Sequence, residues 1–184
     1  MNVKVKKSDG CMDVELTDTS PSFANALRRI MLSEIPISAI EEVEIKENNS
    51  ALQDEILSHR LGMIPVKGEG KLKLSVKGPL SVMSANLKPS DGDVEVQNME
   101  IPLVELLENQ KIDLECRTQT NTGNEHSKWQ AAVVGYQYKT PSKVGLRIES
   151  CSALPEEELL KRSLVILKNR AQEFRDSVSK YKSI

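Results

Sequence analysis

The sequence has little of the chemistry that most enzyme sites and metal centres use. Its 184 residues include two histidines and three cysteines, and aromatic residues make up only 3%. Cys11, Cys116 and Cys151 lie too far apart to form the CxxC pairs typical of zinc and iron–sulfur sites. We therefore expect reduced thiols in an intracellular protein, with no bound cofactor, no zinc and no iron–sulfur cluster.

A strong net charge and long apolar runs are also absent. The formal net charge is -2, which lacks the basic excess expected of a free-standing nucleic-acid binder. No apolar run approaches the roughly 18 residues that span a bilayer. The amino-terminal segment MNVKVKKSDG has no apolar core of the kind found in signal peptides. We expect no membrane association and a cytoplasmic location, or a nuclear one if the source is a eukaryote.

The two histidines do not form a recognisable catalytic motif. Glu55 and His59 are four residues apart and could meet on one helix face, but the HExxH zinc motif needs a second histidine there. His126 lies between Glu125 and Ser127, and neighbouring side chains of an extended segment point to opposite faces. A hydrolase that uses Glu55, His59 or His126 is an alternative interpretation, with no nucleophile motif to support it.

The periodicity of the first 40 residues predicts two strands followed by a helix. Apolar and polar residues alternate over 3–7 and 11–17, and Asp9-Gly10 between them is a strong hairpin signal. Ser20 followed by Pro21 is typical of a helix start, because serine caps the amide groups and proline fits the first helical position. An apolar stripe at helical spacing then comprises Phe23, Leu27, Ile30 and Met31.

The middle of the chain predicts a β-rich module. From residue 67 to 138, short alternating segments are separated by turns rich in glycine, proline and asparagine. Residues 103–107 are compatible with one helical turn. Gly68-Glu69-Gly70 is a lone GxG, without the lysine and serine of a P-loop, and we interpret it as a turn. With the helices at both ends, the fold class is predicted as α+β.

The clearest pattern is the heptad seam of the last helix, which begins near Pro155. The seam spacing is 4, 3, 4, 3, 4, 3. Its members are Leu160, Leu164, Leu167, Ala171, Phe174, Val178 and Tyr181. Packing on the domain's own sheet would explain part of it. A helix of about 27 residues reaches roughly 40 Å, so we expect the rest to contact another chain.

Three blocks resemble the alpha-like assembly subunits of multisubunit RNA polymerases. They are Asn25–Met31, His59–Pro65 and Glu125–Trp129, and the tail from Leu154 is similar to the family's final helix. The nearest look-alikes are the alpha-like subunit of archaea, which is of the D type, and the eukaryotic third-largest subunit. The bacterial alpha amino-terminal domain is more distant.

The resemblance implies a fold and a function. The fold would be a split α/β dimerisation domain over 1–40 and 140–184, with an inserted β-rich domain over 41–139. The function would be a non-catalytic assembly subunit of DNA-directed RNA polymerase, which is part of a nucleotidyltransferase without carrying catalytic residues. Many relatives have a cysteine-rich loop after the position of Val66, and its absence here suits a short, archaeal form without a cluster.

The resemblance also implies partners. The subunit would pair with a small alpha-like subunit, called L in archaea, and the heterodimer would dock the β-like second-largest subunit. Small subunits N and P would join the same platform, and DNA would be met only through the assembled polymerase. The alternative is a homodimer, as formed by bacterial alpha.

The candidate interface residues lie on the first and last helices. Those predicted to contact the small alpha-like subunit are Phe23, Leu27, Leu160, Leu164, Leu167, Ala171, Phe174 and Val178. Arg28 and Arg29 flank the first apolar stripe. Such a pair usually lies on a solvated helix face. The resemblance implies instead that they contact the β-like subunit, and a planar guanidinium suits carboxylate and carbonyl partners.

Overall fold

The structure, a computed structural model, describes residues 1–8 and 10–181. The chain forms two compact units. Unit 1 comprises Met1–Ile35, Thr122–Asn124 and the chain from Gln130 onward, and unit 2 comprises Pro36–Asn121 and Glu125–Trp129. Helices combine with antiparallel sheets in these units, so the α+β prediction is confirmed.

The strands and helices follow one another along the described residues, with short 3-10 turns at Ser84–Asn86 and Ser127–Trp129. In chain order they are β1 (Asn2–Ser8), β2 (Cys11–Thr17), α1 (Pro21–Ser33), β3 (Ile37–Asn48), α2 (Asp54–Gly62), β4 (Val66–Lys67), β5 (Gly70–Lys77), β6 (Leu80–Met83), β7 (Lys88–Gly92), β8 (Glu95–Val96), β9 (Pro102–Leu106), β10 (Lys111–Asn121), β11 (Ala132–Thr140), β12 (Lys143–Ser150) and α3 (Glu156–Tyr181).

Unit 1 is built on one antiparallel sheet, sheet A, with strand order β1-β2-β12-β11. α1 packs on β11 and β12, α3 packs on β12 and β2, and the two helices contact each other. Alternate residues of the central strands are buried on this inner face, because side chains along a strand point to opposite sides. They are Met12, Val14, Leu16, Val144, Leu146 and Ile148.

Helix α1 begins where its capping residues predict. The Ser20 hydroxyl oxygen accepts a hydrogen bond from the Phe23 amide at 3.2 Å, and Pro21 is the first helical residue. Its buried residues are Ala24, Leu27, Ile30 and Met31. The hairpin before it pairs Ser8 with Cys11. Gly10 has the positive φ that such a turn needs, whereas Asp9 lies outside the described residues.

Unit 2 contains a second antiparallel sheet of order β3-β10-β5-β7, with two-stranded ladders β4–β8 and β6–β9. Helix α2 packs on β3 and β9. Its core is aliphatic, as the scarcity of aromatic residues requires. Leu57 and Leu61 of α2, Leu72 of β5 and Leu114 of β10 are among its fully buried members.

The unit boundaries differ from those expected at residues 40 and 140. β3 begins at Ile37 and pairs with β10, so the chain enters unit 2 before residue 40. β11 pairs with β12, so this strand lies in sheet A although the predicted boundary places it in the insert. Hydrogen bonding to a partner strand decides both cases, and a single sequence does not show which strands will pair.

Two local predictions are resolved by the structure. The helical turn over 103–107 is wrong, because β9 occupies this stretch and pairs with β6. The turn at Gly68-Glu69-Gly70 is confirmed as the link between β4 and β5. Gly68 has φ +84°, and a β-carbon there would collide with the carbonyl oxygen of Asp93. None of the helices within 1–8 and 10–181 is both long enough and apolar enough to cross a membrane.

Candidate partner-binding surfaces

Helix α3 carries two neighbouring stripes, and only one of them packs on its own unit. The inward stripe is Leu159, Ser163, Ile166 and Arg170, with heptad-like spacing 4, 3, 4. Leu159 and Ser163 are fully buried, and the Ser163 hydroxyl donates to the Leu160 carbonyl oxygen at 2.8 Å. At the end of the stripe, Arg170 donates to the Glu34 carboxylate at 2.8 Å. The periodicity of the apolar residues alone missed this stripe, because two of its four members are polar.

The heptad seam is the other stripe, rotated by one residue from the inward one. Leu160 and Leu167 are half-buried along the flank of the packed region. The seam residues Leu164, Phe174, Val178 and Tyr181 are between 42% and 80% exposed. From residue 168 to 181 every residue of α3 is exposed, so the apolar surface of this half of the helix has no cover within the described chain.

The two seam candidates on α1 differ from those on α3. Leu27 is only 2% exposed and belongs to the core of unit 1. It leaves no side-chain surface for a partner, and its predicted contact role is corrected to a core role. Phe23 is half-buried at the amino-terminal end of α1, and Ala171 is exposed on α3. Both positions stay predicted contacts of the small alpha-like subunit.

The structure separates the two candidate arginines. Arg28 is half-buried, and its Nε donates to the Asn25 side-chain oxygen at 3.1 Å. The centre of its guanidinium lies 5.3 Å from the centroid of the Tyr136 ring, within the range of a cation–π contact. Arg29 is exposed. Neither arginine pairs with a carboxylate within the described residues.

Two tyrosines of β11 adjoin Arg28, and no sequence pattern indicated them. Tyr136 and Tyr138 pack edge to face, with ring centroids 5.2 Å apart. They pair with Leu146 and Val144, so they lie on the inner face of sheet A, yet they are 46% and 48% exposed. Desolvation raises the pKa of Tyr138, with a further contribution from Tyr136 and an opposing one from Arg28.

The opposite, open face of sheet A is a charged depression of about 780 Å³. Gly135, Gly145 and Lys4 are among the residues that line it. Glu15 bonds to Lys139 at 2.7 Å and to Lys143 at 2.9 Å. These hydrogen bonds lower the pKa of Glu15 to about 2. The single charge of Glu15 offsets only part of the positive charge on this face, which Lys4, Lys6 and Arg147 also line.

Unit 2 brings the two histidines to one pocket. His59 and His126 line a cavity of about 360 Å³, while Glu55 lines a different pocket. Lys128 at the same cavity ion-pairs with Glu41, and its ammonium lies 4.5 Å from the Trp129 ring centroid. The three residues of the hydrolase alternative therefore do not converge on one cavity. The segments resembling the family's second and third blocks meet here.

No metal-binding arrangement is found among residues 1–8 and 10–181: no three His, Cys, Asp or Glu side chains lie close enough to hold an ion. The cysteines are free, and Cys11, Cys116 and Cys151 range from buried to exposed. Burial raises the pKa of the Cys116 thiol to about 12, which makes it an unreactive core residue.

Comparisons with known proteins agree with the resemblance. The chain matches the family model described as the RNA polymerase Rpb3/Rpb11 dimerisation domain over residues 13–171. The DNA-directed RNA polymerase subunit Rpo3 of Methanocaldococcus jannaschii is 42% identical over 160 residues, which cover 83% of either chain.

Other curated relatives are longer than this chain. Rpo3 of Thermococcus kodakarensis is 41% identical over 149 residues, which cover 73% of this chain and 58% of the relative. Rpo3 of Pyrococcus horikoshii is 36% identical over 165 residues, which cover 82% and 64%. The chain therefore spans less than two thirds of these two relatives.

Proposed function

We propose a function from one premise: the chain belongs to the RNA polymerase Rpb3/Rpb11 dimerisation domain family. Its relatives are named as subunits of archaeal DNA-directed RNA polymerase. The proposed function is that of a non-catalytic assembly subunit of this polymerase. The chain would hold other subunits in place, and the nucleotidyltransferase chemistry would belong to the assembled complex.

The exposed heptad seam is the observation that carries this proposal. An amphipathic helix normally buries its apolar face. The described part of α3 buries Leu159 and Ser163 against its own unit but leaves Phe174 and Val178 open. A continuous apolar patch on a helix usually marks a protein interface. The natural occupant is the small alpha-like partner of the family, which in archaea is subunit L.

The later assembly steps follow from the same proposal. The heterodimer would present Arg28 and Arg29 of α1 to the β-like second-largest subunit, and small subunits N and P would join the platform. Neither arginine has a carboxylate partner within the described residues, which supports a role toward another chain. DNA would be contacted only through the assembled polymerase.

The test of pairing is co-expression of this chain with the small alpha-like subunit, followed by measurement of the complex mass by light scattering. We expect a 1:1 complex. A chain that remains monomeric beside the partner would contradict the proposal.

The homodimer alternative has its own readout. Light scattering on the purified chain alone would give twice the monomer mass if the seam pairs with a second copy, as in bacterial alpha. A dimer that persists when the small partner is added in excess would favour this alternative.

We also propose that the chain carries no zinc and no iron–sulfur cluster of its own. The buried, high-pKa thiol of Cys116 supports this, because metal ligation needs a thiolate. Elemental analysis of the purified heterodimer tests it. Stoichiometric zinc or iron that co-purifies with this chain, and not with its partner alone, would overturn the proposal.

A further inference from the structure

We propose that the charged depression on the open face of sheet A binds an acidic, extended segment of another protein chain. The proposal rests on the proposed function for the source of this segment, which would be another polymerase subunit. The depression has a volume of about 780 Å³ and lies on the side of the sheet that faces away from α1 and α3. It is therefore a surface separate from both helices.

The register of sheet A places the lining side chains on this open face. Val134 of β11 and Ile148 of β12 pair with each other and are buried, so they face the helices. The next pair, Gly135 and Arg147, therefore points to the open face. Arg147 in turn opposes Asp13 of β2. Residues of all four strands line the depression as a result.

The depression carries an excess of positive charge. Four basic and two acidic side chains line it, which leaves an excess of two positive charges. Within residues 1–8 and 10–181, Lys4, Lys6 and Arg147 form no ion pair. The Nη2 atom of Arg147 lies 3.7 Å from the Sγ atom of Cys11, which is a contact with a thiol and not with a carboxylate. These cations are therefore available to an anionic ligand.

The spacing of two cations suits the carboxylates of an extended peptide. Lys6 of β1 and Arg147 of β12 lie on either side of Asp13, two strand spacings or about 10 Å apart. Alternate side chains of an extended segment are about 7 Å apart, so two long glutamate side chains of one segment can reach both cations. The guanidinium fork of Arg147 can bind one of these carboxylates through two parallel hydrogen bonds.

Two glycines on the open face leave room for a second backbone. A glycine inside a strand weakens the strand, and it often marks a place where a ligand or another backbone approaches closely. A β-carbon added at Gly135 would meet no atom within 4 Å, and one at Gly145 would meet atoms only at ordinary contact distances. Neither glycine has a positive φ. The fold of the chain itself therefore does not require glycine at these positions, whereas a closely approaching external segment would.

The arrangement favours a protein segment over a nucleic acid. A phosphate backbone carries a charge at every nucleotide and is bound by cations that follow it. Here Asp13 and Glu15 of β2 lie between the cations of β1 and those of β12, so a continuous run of phosphates across the sheet would approach both carboxylates. A peptide carries its acidic side chains at intervals and can place uncharged residues over these two positions.

The experiment measures binding of a short, fluorescein-labelled peptide of alternating glutamate and serine to the co-expressed heterodimer by fluorescence anisotropy. Lys6→Ala and Arg147→Ala should each weaken binding about fivefold, the upper range for an exposed ion pair. The double variant should weaken it about 25-fold if the two cations act independently. Lys161→Ala removes an exposed charge from α3, on the other side of the sheet. It is the matched control and should have no effect.

Gly135→Val distinguishes a binding role of the glycine from a structural one. Valine suits a strand, and its β-carbon would enter open space, so the melting temperature should stay unchanged or rise. The branched side chain would clash with a segment lying in the depression, so affinity for the peptide should fall about tenfold. A lower melting temperature with unchanged peptide affinity would assign the glycine to the fold and contradict the proposal.

The outcomes separate failure of the site from failure of the proposed function. Heterodimer formation is measured on the same samples, so peptide affinity within about twofold of the parent in the Lys6 and Arg147 double variant overturns the site and leaves the assembly function standing. Absence of a heterodimer overturns the assembly function, and peptide titration of the chain alone then still tests the site. Tighter binding of a single-stranded DNA of the same charge, weakened by the same substitutions, would assign the surface to phosphate and overturn the proposal.

A second measurement identifies the source of the segment. A photo-cross-linking side chain is placed at Gln137, which is exposed and opposes Gly145 on the open face, and the polymerase is reconstituted from its subunits. We expect a cross-link to an acidic segment of another subunit. A cross-link to a second copy of this chain, or none, would overturn the proposal.

Discussion

Helices α1 and α3 belong to the same unit and are both amphipathic, yet they differ in how much of their apolar surface the unit buries. α1 turns Leu27 and Met31 into the core. α3 buries Leu159 and Ser163 against its own unit and leaves Phe174 exposed toward its carboxyl-terminal end. An apolar stripe therefore indicates that a helix face will be covered. Whether that face packs on its own unit or on another chain depends on which stripe of the helix the unit buries.

The substitution Leu27→Ala should have the largest effect among the tests of this difference. Removing a fully buried leucine should lower the free energy of unfolding by about 2–5 kcal/mol, because it leaves a cavity in unit 1. Chemical denaturation of the chain measures it. The matched control is Leu164→Ala on the exposed seam, for which we expect a loss below about 1 kcal/mol. Equal losses at the two positions would contradict the assignment of the seam to the outside.

The second test, Phe174→Asp, should affect partner binding and leave the stability of the isolated chain unchanged. The free energy of unfolding of the isolated chain should stay within about 0.5 kcal/mol of the parent, because Phe174 is exposed. Affinity for the small alpha-like partner should fall on the order of a hundredfold, because an unpaired charge would be buried in the interface.

The control for this charge is Asn169→Asp, which adds a carboxylate about 140° around the helix from Phe174. It should leave the affinity unchanged, and titration calorimetry compares the two variants. Loss of affinity in both would indicate a general charge effect, and retained affinity in Phe174→Asp would place the interface elsewhere.

The third test, Ser163→Leu, places a larger apolar side chain at a buried position of the inward stripe. If the stripe is already close-packed, the larger side chain should lower the free energy of unfolding by about 1–3 kcal/mol through overpacking. Thermal denaturation with Ser163→Ala as the size control measures the effect. A stabilised leucine variant would mean that the inward stripe had room for an apolar residue, and the contrast with α1 would weaken.

The smallest expected effect concerns the start of α3. Lys7 lies 2.9 Å from Glu157, and its hydrogen bond and charge lower the pKa of this carboxyl group. A lowered carboxyl pKa adds stability above the unfolded value of about 4.3, and this contribution disappears as the pH falls through the folded value. Both groups are exposed, so the contribution is small.

Lys7→Ala should return the pKa of Glu157 toward the ordinary range, as followed by NMR titration of its side chain. Lys6→Ala on the same strand is the control. An unchanged titration in the Lys7 variant would remove this ion pair from the contacts that fix the start of the helix.

Sequence patterns sufficed where the physical cause is local. Ser20 and Pro21 begin α1 because capping involves only the next few amide groups. The alternation of β2 and β12 predicts the inner face of sheet A directly. The family resemblance then supplied what no local pattern contains, namely that segments from the two ends of the chain form one unit.

The remainder depended on contacts distant in the sequence. Residues 103–107 form a strand because β6 is available to pair with them. Leu27 is a core residue and not a partner contact, because α1 is covered on that side. Tyr136 was missed because an aromatic residue in a strand carries no sign of the arginine that will stack on it.

Strand β1 is an exposed sheet edge whose charge disfavours pairing with a second copy of the chain. It is a free edge of sheet A, and its whole length is exposed. An open edge offers its backbone groups to any passing strand, including the β1 of a second copy. Lys4 and Lys6 lie on this short strand, which has no acidic residue, whereas Lys7 is paired with Glu157 of α3. Lysines on an edge strand disfavour pairing with a second copy of the same edge, so the charge pattern of β1 protects the open side of sheet A.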